Sequence, residues 1–214
     1  MKIRNATAKD IDSIMFIEKK SFISEIQENR ETFENRIKVF PEGFVVFENS
    51  LDSGEIVATF GKENQSATSE DNRISQMAQN NTSQIFGYFC SEKWNAFPTE
   101  AKNQLELFTL GHSAEKSHSV DGKILYISSF AILSEFRGKR LGKKLFKKSL
   151  EFILENPVNK NVETLILLVN EQWNSALHIY ENYGFKTVRK IAGIFPEDCG
   201  IIMEKSVGSS EGNS

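Results

Sequence analysis

The stretch over residues 123–154 limits the fold of this 214-residue chain more than any other. It begins with KILYISSFAIL, which is rich in β-branched and aromatic residues and predicts a strand. After the turn FRGKRLG, apolar residues recur at helical spacing, so we expect an amphipathic helix over residues 138–154. A second buried strand, VETLILLV, follows. This order predicts a parallel pair of strands joined by a right-handed crossover.

The other patterns extend this unit into an α/β (α+β) fold with a mixed central sheet of six to seven strands flanked by about four helices. We predict helices at residues 7–22 (capped by Thr7), 25–39, 98–108 and 171–184, and strands at 2–6, 43–49, 54–60, 85–94, 185–190 and 199–205. Residues 62–84 carry almost no large apolar side chains, so we expect a mobile polar insertion. We predict a single domain over residues 1–205 and a disordered tail over 206–214.

Composition restricts the classes of function. The net charge of −3 gives no electrostatic footprint for nucleic acid, so we expect no nucleic-acid partner. The longest strongly apolar run, residues 165–169, is far too short to span a bilayer, and the polar N-terminus lacks a signal-peptide pattern. We therefore predict a cytoplasmic protein with no membrane partner. The two cysteines and three histidines show no metal-ligand spacing, so we predict no metal.

The turn FRGKRLG combines several features of an anion-binding site. The first N–H groups of a helix have no intrahelical acceptor, and the helix dipole favours negative charge beside them. Gly138 and Gly142 allow close approach to the backbone, while Arg137, Lys139 and Arg140 add positive charge. A diphosphate is the ligand that these features would suit. For such a pattern taken alone we favour the alternative, in which Gly138 only turns the chain and the cations form a solvated helix face.

Two segments together resemble the GCN5-related N-acetyltransferase (GNAT) superfamily. ISSFAILSEFRGKRLGKKL is similar to that family's central strand and diphosphate loop, usually written Arg/Gln-x-x-Gly-x-Gly/Ala, with Arg137 and Gly142 at its ends and Arg140 in place of its middle glycine. NSALHIYENYGF is similar to its later helix, with the Ala-x-x-x-Tyr and Gly-Phe pattern. More loosely, IEKKSFIS and LYISSFAIL resemble the arylalkylamine N-acetyltransferase-like branch, with Tyr126 and Ser128 where well-understood members carry two histidines.

The resemblance implies a GNAT fold with splayed central parallel strands, and an enzyme that uses acetyl-CoA as co-substrate. It implies acetyl transfer to the primary amine of a small molecule by direct attack in a ternary complex. Tyr180 would protonate the departing thiolate, and the N–H of Ile132 would polarise the thioester carbonyl. The turn's backbone donors stay usable if Arg140 keeps helical dihedral angles and points outward. The residues expected to bind the co-substrate are Phe130, Ala131, Ile132, Arg137, Gly138, Lys139, Arg140, Leu141, Gly142, Lys143 and Asn174.

The residue that removes the amine's proton stays open at this point. Tyr126, Ser128 and Glu171 are candidates, and His112 and His118 lie in a polar loop that could approach the acceptor, although each is more often a surface histidine. The residues expected to line the acceptor pocket are Phe22, Ser24 and Trp94. The two aromatic members of that pocket could equally be core residues.

Two other functions fit these residues. A protein N-terminal or lysine acetyltransferase would need an open groove beside the central strand, and the long segment between residues 62 and 123 argues against one. A CoA-binding sensor that has lost catalysis is the other, because Arg140 and the missing histidines depart from the family pattern. The sequence is compatible with a monomer or a homodimer.

Overall fold

The computed structural model describes residues 1–50, 83–97, 106–138 and 140–208. Several predicted features lie outside these residues: the strand at 54–60, nearly all of the insertion at 62–84, most of the helix at 98–108, Lys139, and the tail from residue 209 onward.

Seven strands of the described residues form one mixed sheet in the order β1-β2-β3-β4-β5-β7-β6. Neighbouring strands are antiparallel except β4 and β5, which run parallel. The strands are β1 (Lys2–Asn5), β2 (Phe44–Ser50), β3 (Ser83–Trp94), β4 (Ile124–Ile132), β5 (Thr164–Asn170), β6 (Lys186–Ile191) and β7 (Gly200–Ser206). The predicted fold class is confirmed. Residues 83–84, the last of the predicted insertion, belong to β3.

The helices of the described residues are α1 (Ile11–Ser21), α2 (Arg30–Val39), α3 (Ala114–Ser117), α4 (Leu141–Leu154) and α5 (Asn174–Asn182). Three predicted helix starts are wrong, and one of them is that of α5, which begins at Asn174 and not at residue 171. Helix α2 begins at Arg30, because the Asn29 side chain accepts the Thr32 N–H and caps the helix there. Helix α4 begins at Leu141, because Gly138 and Arg140 both have positive φ.

The start of α1 is tied to the first strand. Thr7 donates its N–H and its hydroxyl to Asp10, at 2.7 and 2.9 Å, which places Thr7 at the capping position that the sequence predicts. Asp10 also accepts two hydrogen bonds from Arg4. Burial favours the neutral carboxyl, but the bonds from Arg4 and Thr7 outweigh it and hold the pKa of Asp10 below its ordinary value.

Aromatic side chains fill both faces of the sheet. Phe33 of α2 contacts Tyr88 of β3, with ring centroids 5.4 Å apart. On the opposite face, Phe146 of α4 contacts Phe89 and Phe130 at 5.7 and 5.5 Å. Helices α2 and α4 therefore pack on opposite faces of the sheet at β3 and β4, and this packing positions the strands that form the site.

Candidate active site

The parallel strands β4 and β5 pair over only part of their length. Their register runs from Ile124↔Thr164 to Ile127↔Leu167, whereas β4 continues to Ile132 and β5 to Asn170. Beyond these pairs the described residues of the two strands part. We call the space between residues 128–132 of β4 and residues 168–170 of β5 the cleft. The structure thus has the splayed central strands that the resemblance implies.

A β-bulge marks the point at which the strands part. Cys90 pairs with Ser129 and Ser91 pairs with Ile127, so Ser128 is an extra residue in β4. The half-buried Ser128 donates its hydroxyl to the Cys90 carbonyl at 3.2 Å. Bulges bend the strand that carries them, and this one lies where β4 leaves β5.

The cleft edge of β4 presents backbone groups. The Leu133 N–H donates to the Phe86 carbonyl of β3 at 2.9 Å. Alternation along an antiparallel strand then turns the N–H and C=O of Ile132 away from β3, toward the cleft. The Ile132 carbonyl accepts a hydrogen bond from Arg137 Nε at 2.8 Å. This bond ties the turn after β4 to the cleft edge.

Two residues of that turn have left-handed backbone conformations. Gly138 has φ +99°, and a Cβ there would meet nothing within 4 Å. Arg140 has φ +59° and ψ +20°, so it does not keep the helical dihedral angles considered from the sequence. Its side chain is exposed. Glycine adopts this conformation readily, whereas a residue with a Cβ is strained in it.

The first turn of α4 has two backbone donors without an acceptor among the described residues. Among the described residues, the N–H groups of Gly142 and Lys143 have no backbone acceptor, as is usual at the start of a helix. Gly142 also lets α5 approach, since a Cβ there would lie 3.2 Å from Ile179. The Lys143 ammonium donates to Asn182 of α5 at 3.2 Å. Amides that bond to no described backbone carbonyl, the open Gly138 and a helix N-terminus fit a diphosphate group.

Tyr180 lies on α5 and packs against α4. Its ring contacts Phe146 and Phe185, with centroids 5.0 and 6.2 Å apart. Burial raises the pKa of its hydroxyl, which makes no hydrogen bond to a described residue. Tyr183 packs edge-on against Phe146. Tyr180 therefore has a neutral hydroxyl whose proton is free to be donated.

Two residues predicted for the site lie in the core. Trp94 is 2% exposed, stacks on Tyr126 with centroids 4.3 Å apart, and donates its indole N–H to Glu92. Tyr126 pairs with Ile166 where β4 and β5 are still joined, and burial raises the pKa of its hydroxyl. These positions correct the predictions that Trp94 contacts the acceptor and that Tyr126 removes its proton.

The other proton acceptors considered from the sequence hold segments together. His112 is not a surface residue: its side chain is 8% exposed and its Nε2 lies 2.6 Å from a Glu92 oxygen. His118 accepts a backbone N–H of β3. Glu171 pairs with Lys190 of β6. Among the described residues, no cluster of three metal-ligating side chains occurs, and no helix is both long and apolar enough to span a bilayer.

Aromatic rings from three connections meet beyond the carboxyl end of β5. Phe22, after α1, contacts Trp173, before α5, and Trp173 contacts Phe195, between β6 and β7, with centroids 5.8 and 5.5 Å apart. We call these three residues the aromatic cluster. Of the residues predicted to line the acceptor pocket, Phe22 belongs to the aromatic cluster. Ser24 is exposed and donates its hydroxyl to the neighbouring Glu25. Asn174 is exposed at the first residue of α5.

Sequence reasoning missed a hydrogen-bonded chain from α1 to the cleft. The Glu18 carboxylate accepts from the Tyr88 hydroxyl, which in turn contacts the Ser129 hydroxyl. One signal could have found it. Glu18 stands four residues after Ile14 and seven after Ile11, so a carboxylate occupies the apolar face of the helix.

A family model described as "Acetyltransferase (GNAT) domain" matches residues 104–187. These residues contain β4, the turn, α4, β5 and α5, which are the elements that form the cleft. The match over this part of the chain and the shared fold support the GNAT superfamily that the sequence resembles. The looser resemblance to the arylalkylamine branch stays a prediction. A search of curated proteins returned no significant match.

Solved GNAT structures share this fold at low identity. The loading GNATL domain of CurA from Lyngbya majuscula matches with a TM-score of 0.66 at 14% identity, over 96% of each chain. The GphF GNAT-like decarboxylase in complex with isobutyryl-CoA matches at 0.64 and 14%, over 96% of this chain and 99% of that one. The ribosomal-protein-S18-alanine N-acetyltransferase from Escherichia coli matches at 0.56 and 13%, over 100% and 97%. At these identities the likeness establishes the fold, and the reaction has to be inferred from the site.

Proposed function

We propose that this GNAT protein is an acetyl-CoA-dependent N-acetyltransferase that acetylates the primary amine of a small molecule. The observation that carries the proposal is the parting of β4 and β5 next to the amide-bearing turn at the start of α4. The free edge of β4 can bond a pantetheine arm as it would an added strand, while the amides of Gly142 and Lys143 meet the diphosphate. The isobutyryl-CoA bound by the GphF decarboxylase supports a CoA thioester as the ligand.

Two groups of the chain serve the transfer directly. When bound, acetyl-CoA supplies the activated acetyl group. The Ile132 N–H stabilises the negative charge on the thioester oxygen while the amine nitrogen bonds to the carbonyl carbon. As the carbon–sulfur bond breaks, Tyr180 gives its proton to the departing thiolate and later regains one from water. Because burial raises the pKa of Tyr180, its hydroxyl keeps that proton at neutral pH until the thiolate forms.

The aromatic cluster supports an acceptor amine with an apolar part. Phe22, Trp173 and Phe195 join three separate connections beyond the end of β5, and all three are only half-buried. Half-buried rings can cover an apolar group while the amine reaches the cleft. The ring contacts join the three connections, which supports a closed acceptor site over an open groove for a peptide. We therefore favour a small amine over a protein acceptor.

A thiol-release assay tests the reaction and the acceptor class together. Acetyl-CoA is incubated with the protein and with arylalkylamines, polyamines, amino acids or short peptides, and free CoA is measured. We expect the fastest release with an arylalkylamine. Faster release with peptides than with every small amine would favour a protein acetyltransferase. Binding of acetyl-CoA without release in any arm would favour a CoA-binding sensor.

The role of Tyr180 has its own test. Tyr180→Phe removes the proton but keeps the ring contacts with Phe146 and Phe185, so we expect kcat to fall about 100-fold with acetyl-CoA affinity nearly unchanged. Tyr183→Phe is the matched control and should keep the wild-type kcat. An unaltered kcat in Tyr180→Phe across the pH range would remove Tyr180 from the mechanism.

A further inference from the structure

A buried carboxylate on α1 is connected to the cleft by two hydroxyl groups. Glu18 is 1% exposed, and one of its oxygens accepts the hydroxyl proton of Tyr88, which is fully buried. Tyr88 Oη lies 2.8 Å from Ser129 Oγ. Ser129 is half-buried and lies two residues beyond Ile127, the last residue of β4 that pairs with β5. The chain therefore runs from the interior to the strand edge where the acetyl group is to be transferred.

The surroundings of Glu18 leave it without a counter-ion. Its second oxygen accepts the Glu28 N–H at 2.8 Å. The nearby cation, Arg36, is bonded at 2.7 Å to the Glu28 carboxylate, which also accepts the Gly111 N–H. Among the described residues, Glu18 forms no ion pair. The charged groups near Glu18 are thus Glu28 and Arg36, which are already paired with each other.

This environment places the carboxyl near its protonation midpoint at neutral pH. Burial raises the pKa of Glu18 to about 7, against the hydrogen bonds from Tyr88 and from the Glu28 N–H, which favour the ionised form. The charge of Glu28 adds to the rise and that of Arg36 opposes it. A group with this pKa can take a proton and release it again under physiological conditions.

A structural role explains only half of these contacts. The bond between Glu18 and the Glu28 N–H ties α1 to the connection before α2. The other oxygen, however, bonds to a tyrosine whose second partner is a serine at the cleft. The hydroxyl groups of Ser129 and Tyr88 can each pass a proton toward Glu18, because each oxygen can accept one proton as it donates another.

We propose that Ser129, Tyr88 and Glu18 form a proton relay that deprotonates the acceptor amine. The relay rests on the proposed acetyl transfer. As the new nitrogen–carbon bond forms, a nitrogen-bound proton moves to Ser129 Oγ, the Ser129 proton moves to Tyr88 Oη, and the Tyr88 proton moves to Glu18. Glu18 ends as a neutral carboxylic acid, and no group is oxidised or reduced. The same path returns the proton to water after the product leaves. Ser129 alone touches the amine, so Tyr88 and Glu18 are positioning residues that act through it.

The pH dependence of kcat/KM tests the relay. Two amines of different basicity, 2-phenylethylamine and glycinamide, are assayed with acetyl-CoA. If protonation of Glu18 causes kcat/KM to fall at low pH, the fall occurs at the same pH with both amines. If protonation of the amine causes it, the pH of the fall differs between the two amines. We expect Glu18→Gln to lose that decline and to lower kcat/KM about 100-fold. Glu34→Gln, an exposed glutamate on α2, should match the wild type.

Variants of Ser129 guard against a folding defect caused by a change at the buried carboxylate. Ser129→Ala removes the hydroxyl at the cleft and should also lower kcat/KM about 100-fold, while Ser129→Thr keeps a hydroxyl on a strand and should restore most of it. Thermal unfolding and acetyl-CoA affinity should stay near wild type in both.

The outcomes separate the relay from the function on which it rests. If the wild type acetylates some amine and Glu18→Gln keeps both its rate and its acid-side decline, the relay is overturned and the enzyme assignment stands. Wild-type activity in Ser129→Ala would overturn it in the same way. If the folded wild type acetylates no amine of the panel, the proposed function fails and the relay fails with it.

Discussion

At the scale of single residues, the site contains a strained backbone conformation and a buried carboxyl group. Arg140 holds a left-handed conformation at the start of α4, and Glu18 holds a carboxyl group in the core without an ion-pair partner among the described residues. Both features act against stability. Each therefore predicts a substitution whose effect on stability can be measured apart from catalysis.

Arg140→Gly should make the protein more stable. Relief of the left-handed strain, partly offset by the greater freedom of glycine in the unfolded chain, should raise the free energy of unfolding by up to about 1 kcal/mol. Urea unfolding measures this change. Arg140→Ala is the control, because it removes the charge but keeps the Cβ and the strain. Equal stability of the two variants would show that strain at this residue is negligible.

Glu18→Gln should change how stability depends on pH. Below pH 4.5, the pKa of Glu18 in the unfolded chain, Glu18 is protonated in both the folded and the unfolded protein. Between pH 4.5 and about 7 only the folded protein keeps this proton, so the wild type loses stability as the pH rises through this range. This contribution amounts to roughly 3 kcal/mol and is fully lost above about pH 7. The free energy of unfolding of Glu18→Gln, relative to wild type, should therefore increase between pH 4.5 and 7 in denaturant titrations. A constant difference would contradict the raised pKa.

At the scale of elements, α4 has two functions. Its N-terminus carries the amides proposed to bind the diphosphate, and its buried face packs on β3, β4 and α5. Phe146 alone contacts Phe89, Phe130 and Tyr180. The packing of α4 therefore determines both the position of the proposed anion-binding turn and the position of the proposed acid.

Phe146→Ala should weaken folding and activity together. Loss of a fully buried phenylalanine typically lowers the free energy of unfolding by about 3–5 kcal/mol, and the cavity leaves Tyr180 without its main contact. Chemical denaturation and the thiol-release assay, run below the unfolding transition, measure the two effects. Phe152→Ala on the same helix removes a side chain that is 36% exposed and should change stability much less. Similar losses from both variants would refute this view of α4.

At the scale of the whole molecule, local patterns predicted more than long-range contacts did. The periodicity of apolar residues predicts the order β4–α4–β5, and the glycines and cations of FRGKRLG predict the turn. Both predictions need only residues that are close together in the sequence. Tyr126 was not predictable in this way, because the extra residue Ser128 shifts it to the face opposite Phe130. Glu18 and Tyr88 are 70 positions apart, so only the folded sheet brings them together.

The central claim is that the turn before α4 binds a diphosphate while the parted strands take the thioester arm. Calorimetric titration of the wild-type protein with acetyl-CoA, and with S-acetylpantetheine, which lacks the diphosphate, tests it most directly. We predict measurable binding of acetyl-CoA and about 100-fold weaker binding of S-acetylpantetheine. Absence of heat with acetyl-CoA at two temperatures, or equal affinity for the two compounds, would contradict the account.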